Sequence, residues 1–397
     1  MTSEKWNVKK GGKPMSKNEK IVPITSVGAD KGQSTRTNVI ITENQQKSNL
    51  QRTDYVKNFE QGVLYTITME ELYDTAFPPK VPIVDGLIYN GTYLFVGAPK
   101  VGKSFFMAQL GYHVSMGIPL WNYKVNQGSV LYLALEDDFS RLQKRLSKMF
   151  GMESTNNFYF ATMSKSLNEG LEEQLSKFMK EHADTKLIMI DTLQKIREVG
   201  SDRYSYSSDY DIVTKLKQFS DKHNVCVLVV HHTRKLQSED SFEMISGTNG
   251  LLGAADGAFI MQKKKRTDNI AVLDIAGRDQ PDQKLTIEFD REHCVWNFKK
   301  AETELWKEPV DEVLEIIAKF IEKQRKWQGT ATELLNCLSE INMQPNKLTK
   351  KLNVSVEKLY IDYQVIYKSS RGHDGRMIYL EKLENERVDS DGRDDKI

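Results

Sequence analysis

Gly97-Ala98-Pro99-Lys100-Val101-Gly102-Lys103-Ser104 constrains this chain more than any other segment. Gly91-Thr92-Tyr93-Leu94-Phe95-Val96 reads as a short apolar strand running into it, and Ser104 to about Met116 as a helix ended by Gly117-Ile118-Pro119. A glycine-bounded loop between strand and helix lets backbone N–H groups curl around phosphates, with a helix N-terminus beneath them. Gly97 and Gly102 permit the close backbone approach, Lys103 reaches β- and γ-phosphates, and Ser104 ligates Mg2+. ATP with Mg2+ is therefore the expected ligand. By average residue usage, a chance match in a chain this long is on the order of one in a hundred.

The surrounding pattern sets the expected fold. Apolar strands are expected at 129–135, 186–191, 225–230, 258–261, 269–275, 285–289 and 295–298, with helices at 139–150 and 208–223. Apolar strands alternating with helices predict an α/β core with a mostly parallel sheet, in which functional residues gather at strand C-terminal ends. Those ends carry the glycine loop, Glu136, Asp191 and His231-His232. Asp191, closing an apolar run, suits a direct or indirect Mg2+ carboxylate. Glu136 suits a residue that orients or deprotonates attacking water, with Asp137 as the alternative and a merely solvated carboxylate as the plain reading. One of His231 and His232 is a candidate γ-phosphate sensor; packed or solvated histidines are the plain alternative, and no nearby Cys or His gives them metal-ligand spacing.

Further on, Arg234, Lys235 and Ser246-Gly247-Thr248-Asn249-Gly250 make a polar loop that is a candidate nucleic-acid contact, or an ordinary surface loop. Lys263-Lys264-Lys265-Arg266 reads as a solvated hairpin tip. Arg278 is either an arginine finger acting on a neighbour's ATP or part of a structural ion pair.

The ends of the chain differ from this core. Residues 1–58 are polar and mildly basic without periodicity, which predicts a disordered arm. Thr68 to Glu71 reads as a capping box opening a short helix, so the core is placed at 59–302. Residues 308–383 switch to short helices at 311–323, 330–341, 345–352 and 356–363, followed by a hairpin around Arg371 to Arg376, a winged-helix-like arrangement. Residues 384–397 read as a disordered acidic tail. The net charge of +1 announces neither nucleic acid nor membrane, so such contacts must come from local patches. Cys226, Cys294 and Cys337 stand too far apart for a ligand cluster, and no apolar run approaches the ~20 residues of a membrane helix. A cytoplasmic protein is expected.

Taken in order, the phosphate loop, Leu133-Ala134-Leu135-Glu136-Asp137, Ile190-Asp191-Thr192-Leu193, Val230-His231-His232 and Ser246-Gly247 through Asp256 resemble the RecA-like ATPases of the RepA hexameric replicative helicase family, over roughly residues 66 to 300. The resemblance implies that Lys103 and Ser104 bind Mg-ATP, Glu136 is catalytic, Asp191 supports the metal, and the histidine pair lies near the γ-phosphate. Arg278 matches a basic residue that reaches across a subunit interface. The resemblance also implies a hexameric ring whose central loops grip single-stranded DNA during replication of a plasmid, phage or mobile element. The added C-terminal segment departs from the simplest family members. Its Lys347, Lys350, Lys351, Lys358, Lys368, Arg371 and Arg376 suit DNA phosphates, those of a duplex included, while a protein-docking role stays open. A helicase, an ATP-switched initiator or regulator, and a helicase loader are the activities to separate.

Overall fold

The computed structural model describes residues 64, 66–197, 206–232, 249–265, 267–302, 310–372 and 375–383. The expected arm at 1–58, the tail at 384–397 and the loop carrying Arg234, Lys235, Ser246, Gly247 and Thr248 lie outside the described residues.

From residue 91 the chain forms β1 (Gly91–Gly97), α2 (Lys103–Met116), β2 (Ser129–Ala134), α3 (Phe139–Phe150), β3 (Phe158–Ala161), α4 (Leu171–Glu181), β4 (Thr185–Asp191), α5 (Tyr206–His223), β5 (Cys226–His232), α6 (Asn249–Ala254), β6 (Gly257–Gln262), β7 (Ile270–Gly277), β8 (Gln283–Asp290) and β9 (Val295–Glu302); α1 (Met69–Asp74) precedes them. The strands build one sheet in the order β3-β2-β4-β5-β1-β6-β7-β8-β9. From β3 to β6 every pairing is parallel, and β7, β8 and β9 extend the sheet antiparallel. This is the mostly parallel α/β core that the sequence predicts.

Strands β1 and β2 are buried along their whole length because both sheet faces are covered. Alternation then divides the side chains. Tyr93 and Phe95 of β1, Val130, Tyr132 and Ala134 of β2, and Leu187 and Met189 of β4 face α2 in one core. Leu94, Val96, Leu131, Leu133, Ile188 and Ile190 face α4, α5 and α6 in the other. Parity thus decides which residues end on the side of the phosphate loop.

The remaining elements are α7 (Glu312–Gln324), β10 (Lys326–Thr330), α8 (Ala331–Cys337), α9 (Pro345–Val354), α10 (Val356–Ile361), β11 (Val365–Gly372) and β12 (Gly375–Lys382). They enclose a separate apolar core, and a three-stranded sheet in the order β10-β12-β11 holds the expected hairpin. Both capping boxes read from sequence are present, at Thr68/Glu71 and Thr330/Glu333. Three features differ from the expectation. β3 and α4 are additional to the expected elements, although α4 carries Leu171, Leu175, Phe178 and Met179 at helical spacing; β10 is a strand with a single buried residue, and the helix starting at Ala331 ends at Cys337 rather than near Ile341.

A fourth difference concerns α1, expected as part of the ATPase core. It packs instead on the C-terminal helices. Asn353 Nδ2 donates to Tyr73 O at 3.0 Å, Arg376 lies 3.3 Å from Asp74, Lys350 lies 3.4 Å from Glu70, and Ala76 joins the C-terminal apolar core. Exposed ion pairs of this kind contribute little. The buried amide of Asn353 is the firmer link, because its Oδ1 also accepts from the Tyr367 hydroxyl at 2.7 Å and from Ser369 at 3.3 Å. Asn353→Ala should lower the unfolding free energy by about 1–3 kcal/mol, since it strips a partner from a buried phenol and another from the part-buried Tyr73 carbonyl. Urea unfolding checks this, and a midpoint unchanged from wild type would contradict the stapling role.

Candidate active site

β1 delivers the chain into the loop, and α2 begins at Lys103 with no acidic residue in its first turn. Its first N–H groups and the positive end of its dipole therefore face the space above the sheet edge. Ala98, Pro99 and Lys100 are exposed at the loop's crest, while Val101 turns back into the core at 6% exposure. Two backbone positions require their glycines. Gly102 has φ 108°, and a Cβ there would stand 2.7 Å from the Trp296 ring. A Cβ on Gly97 would stand 2.7 Å from Met261 O of β6. Trp296 also donates its indole N–H to Gly102 O at 3.2 Å, so β9 braces the loop from below.

Lys103 is 5% exposed. Its ammonium donates to Gly97 O at 2.7 Å and Ala98 O at 2.9 Å, and lies 3.1 Å from His232 Nδ1. Burial pulls its pKa down to about 8, with the nearby charges of Asp191 and Glu136 acting in the opposite direction. Burial first, and the Lys103 charge second, push the His232 pKa below its ordinary value. A neutral imidazole with its proton on Nε2 accepts from the ammonium at Nδ1. Of the two histidines, His232 is the one placed against Lys103.

Ser104, one residue into α2, donates to Asp191 Oδ2 at 2.8 Å, and Tyr132 donates to the same oxygen at 2.9 Å. Burial pushes the Asp191 carboxyl up, and these two hydrogen bonds oppose it. The exposed Glu136 accepts from the Thr192 hydroxyl at 3.3 Å, so it lies beside the Asp191 strand end. Asp137 points elsewhere: its carboxylate lies 2.7 Å from Arg145 and 3.6 Å from Arg141, both on α3. Between the two acids left open by the sequence, Glu136 is the one next to Asp191.

Arg278 is not at this site. β6 begins with Gly257 opposite Tyr93 and reaches the loop with Met261 opposite Gly97, roughly 13 Å of strand. β7 returns antiparallel, with Gly277 opposite Gly257. Arg278 thus lies at the sheet end away from its own phosphate loop, where its guanidinium donates to Gly253 O at 2.8 Å and lies 4.0 Å from Asp256. Asp256 also takes Lys217 and the Thr92 N–H, so the ion-pair reading of Arg278 has its partner in this chain. At the other basic run, Lys263 lies over the Trp296 and Phe289 rings, 5.0 and 5.6 Å from their centroids, and Arg266 is outside the described residues.

Sequence reasoning missed Tyr132, Thr192 and Trp296. For Tyr132 the signal was available: it shares parity with Ala134, the residue opposite Asp191, so it stands on the same sheet face. Trp296 had no such signal, because β9 meets α2 only through the tertiary fold.

A family model described as an AAA domain matches residues 63–238. The matched stretch holds the loop, Glu136, Asp191 and both histidines; it ends before Arg278 and covers less than half of the chain. Among solved structures the chain is similar to one described as an ATPase domain, at 16% identity over 53% of this chain and 85% of that one, with a TM-score of 0.45. It is similar to a DnaB-like replicative helicase described with its interactions with primase, at 15% identity, 66% and 76% coverage and a TM-score of 0.47. The RadB recombinase follows at 15% identity, 53% and 91% coverage and a TM-score of 0.38. No curated protein matches the chain. These likenesses are distant, and the chemistry rests on the side chains just described. No helix among the described residues is long and apolar enough to cross a membrane.

Lys103→Met tests the buried cation. With a folded pKa near 8 against about 10.4 unfolded, the protonated lysine destabilises the empty fold at and below pH 8. That penalty fades as pH rises from 8 toward 10. The variant should melt about 2–6 °C higher than wild type at pH 7 without nucleotide, converge on it above about pH 10, and lose stabilisation by ATP. Melting curves at both pH values, with and without ATP, check all three points.

Proposed function

We propose that this chain is a Mg2+-dependent ATPase whose RecA-like core acts as a motor on DNA, in an assembly of like subunits for which a hexameric ring is the favoured form. One observation carries the ATPase part. Lys103 and Ser104, Glu136, Asp191 and His232 come from four separate points in the sequence and meet around the N-terminus of α2 through hydrogen bonds of 2.7 to 3.3 Å.

The donor set suits Mg2+. Ser104 and Asp191 are hard oxygen groups 2.8 Å apart, and among the described residues no cluster of three His, Cys, Asp or Glu could hold a metal by itself. Mg2+ is commonly bound by one or two protein oxygens, with phosphates and water completing its shell. When bound, it neutralises charge on the β- and γ-phosphates. The chain's own groups supply the rest. Lys103 exchanges its two loop carbonyls for phosphate oxygens, which return the charge that burial disfavours. Backbone N–H groups from Gly102 onward line the phosphates. Glu136, held by Thr192, aligns a water for attack on the γ-phosphate and takes its proton as the γ-phosphorus bond to the bridging oxygen breaks and ADP leaves. His232 loses its contact with Lys103 when the lysine turns to phosphate, which links nucleotide occupancy to the segment after β5.

The DNA and ring parts of the reading rest on the order of motifs and on their resemblance to ring helicases, whose single-strand-gripping loops correspond to the segment after His232. In such a ring Arg278, remote from its own loop, would serve a neighbour's site. For the C-terminal segment, read as a winged helix, a specific observation favours docking over duplex binding. Lys350, Lys351, Lys358 and Arg376, four of its candidate phosphate contacts, face Glu70, Asp311, Asp362 and Asp74 at 3.4, 2.5, 4.0 and 3.3 Å. DNA phosphates would compete with these acids for the same cations, although each pair alone is weak. That observation supports a helicase loader, docking through this segment, as the second reading, and weighs against an ATP-switched DNA-binding initiator or regulator.

Glu136→Gln is the test of the catalytic assignment. It should leave nucleotide affinity within about threefold of wild type and lower turnover at least 100-fold, roughly the scale of a lost general base. Steady-state hydrolysis and a fluorescent-nucleotide titration measure the two, and unchanged turnover would contradict the assignment.

A further inference from the structure

A buried phenol touches the carboxylate on which the metal chemistry depends, and the glycine-loop motif does not call for it. Tyr132 is 1% exposed in β2. Its hydroxyl donates to Asp191 Oδ2 at 2.9 Å, and Ser104 Oγ donates to that same oxygen at 2.8 Å. Among the described residues Oδ1 of Asp191 is not one of the buried polar atoms lacking a partner. Asp191 keeps 7% exposure, and with Oδ2 taken twice, Oδ1 is the oxygen that neither donor occupies.

The sheet explains how the phenol gets there. Ala134 lies opposite Asp191 in the β2–β4 register, and Tyr132 lies opposite Met189. Tyr132 and Asp191 are therefore diagonal neighbours on the face that packs against α2. The phenol spans that diagonal, its hydroxyl reaching Asp191 Oδ2 at 2.9 Å. Ala134, with only a methyl group, leaves the path open. The ring is held by Phe160 on β3, with centroids 6.1 Å apart, so the hydroxyl is presented by a packed, two-torsion side chain. A neutral donor serves here without adding charge beside Lys103.

We propose that Tyr132 is a positioning residue for the metal site: with Ser104 it fixes the Asp191 carboxylate by Oδ2 and leaves Oδ1 as the acceptor for water on the Mg2+ that accompanies ATP. The inference rests on the ATPase reading and deepens it, because it names what aims the carboxylate. A buried tyrosine hydroxyl also needs a partner for stability alone. The two roles separate in what metal does to binding.

The experiment is a fluorescent-ADP titration of the full chain, wild type and Tyr132→Phe, with and without Mg2+, beside melting curves of both. The substitution removes one oxygen and keeps the ring against Phe160. Without Mg2+ the two proteins should bind ADP within about twofold of each other. The half-saturating Mg2+ concentration should rise about 10-fold in the variant, the lower end for a lost partner of a metal-supporting carboxylate. An unchanged Mg2+ dependence, whatever the melting temperature does, overturns the positioning role while leaving the ATPase reading intact. Wild-type ADP binding that ignores Mg2+ overturns both.

Discussion

Removal of the Lys103 ammonium from water is the constraint around which the site is built. A lysine at 5% exposure must be met by oxygen and nitrogen acceptors or lose its proton. In the resting chain the acceptors are Gly97 O, Ala98 O and His232 Nδ1. Each comes from the end of β1 or of its parallel neighbour β5, so the cradle exists only because those strands end together, with Gly97 opposite His232. The carbonyls are weak partners for a full positive charge, and phosphate oxygens are strong ones. A site that holds its cation against weak acceptors is primed for an anionic ligand.

The same geometry gives the two acids different surroundings. Asp191 is buried on the α2 side of the sheet, next to Ser104, while Glu136 lies in the turn after β2 and is open to solvent. Burial disfavours a carboxylate unless donors or cations attend it, and Ser104 and Tyr132 do so for Asp191. Glu136 has a neutral donor in Thr192 and free access to water, the circumstances of a group that must handle a proton. Asp137, the next residue, is held by the arginines of α3 and serves the fold.

Much of this was legible because local patterns and the final structure agree. Strands buried on both faces announce themselves as apolar runs, and the glycine loop, both capping boxes and the Gly117 helix stop are local rules. The illegible parts depend on distant partners. β3 is only half-buried at the sheet edge, and β10 owes its extended form to pairing with β12 some fifty residues later, roughly the scale of a supersecondary unit. The docking of α1 on the C-terminal helices could not be read either, since Glu70, Asp74 and Tyr73 carry no mark of their partners. In the site, the loop residues and Asp191 were readable from spacing. Glu136 was preferred in sequence with Asp137 as its alternative, while the placing of His232 rather than His231 against Lys103 needed coordinates. Arg278 shows the limit from the other side: its sequence context left a finger and an ion pair equally open, and within one chain it holds an ion pair with Asp256 far from the loop.

A motor and a switch built on this core would share every contact around Lys103 and differ in what accelerates hydrolysis. The steady-state ATPase rate of the full chain, with single-stranded DNA, with duplex DNA and with neither, at low and high salt, tests that difference most directly. For a DNA motor, ATP turnover should rise several-fold with single strands and lose most of that stimulation at high salt, as phosphate contacts give way to counterions. Turnover that is the same with and without DNA at both salt concentrations would contradict it.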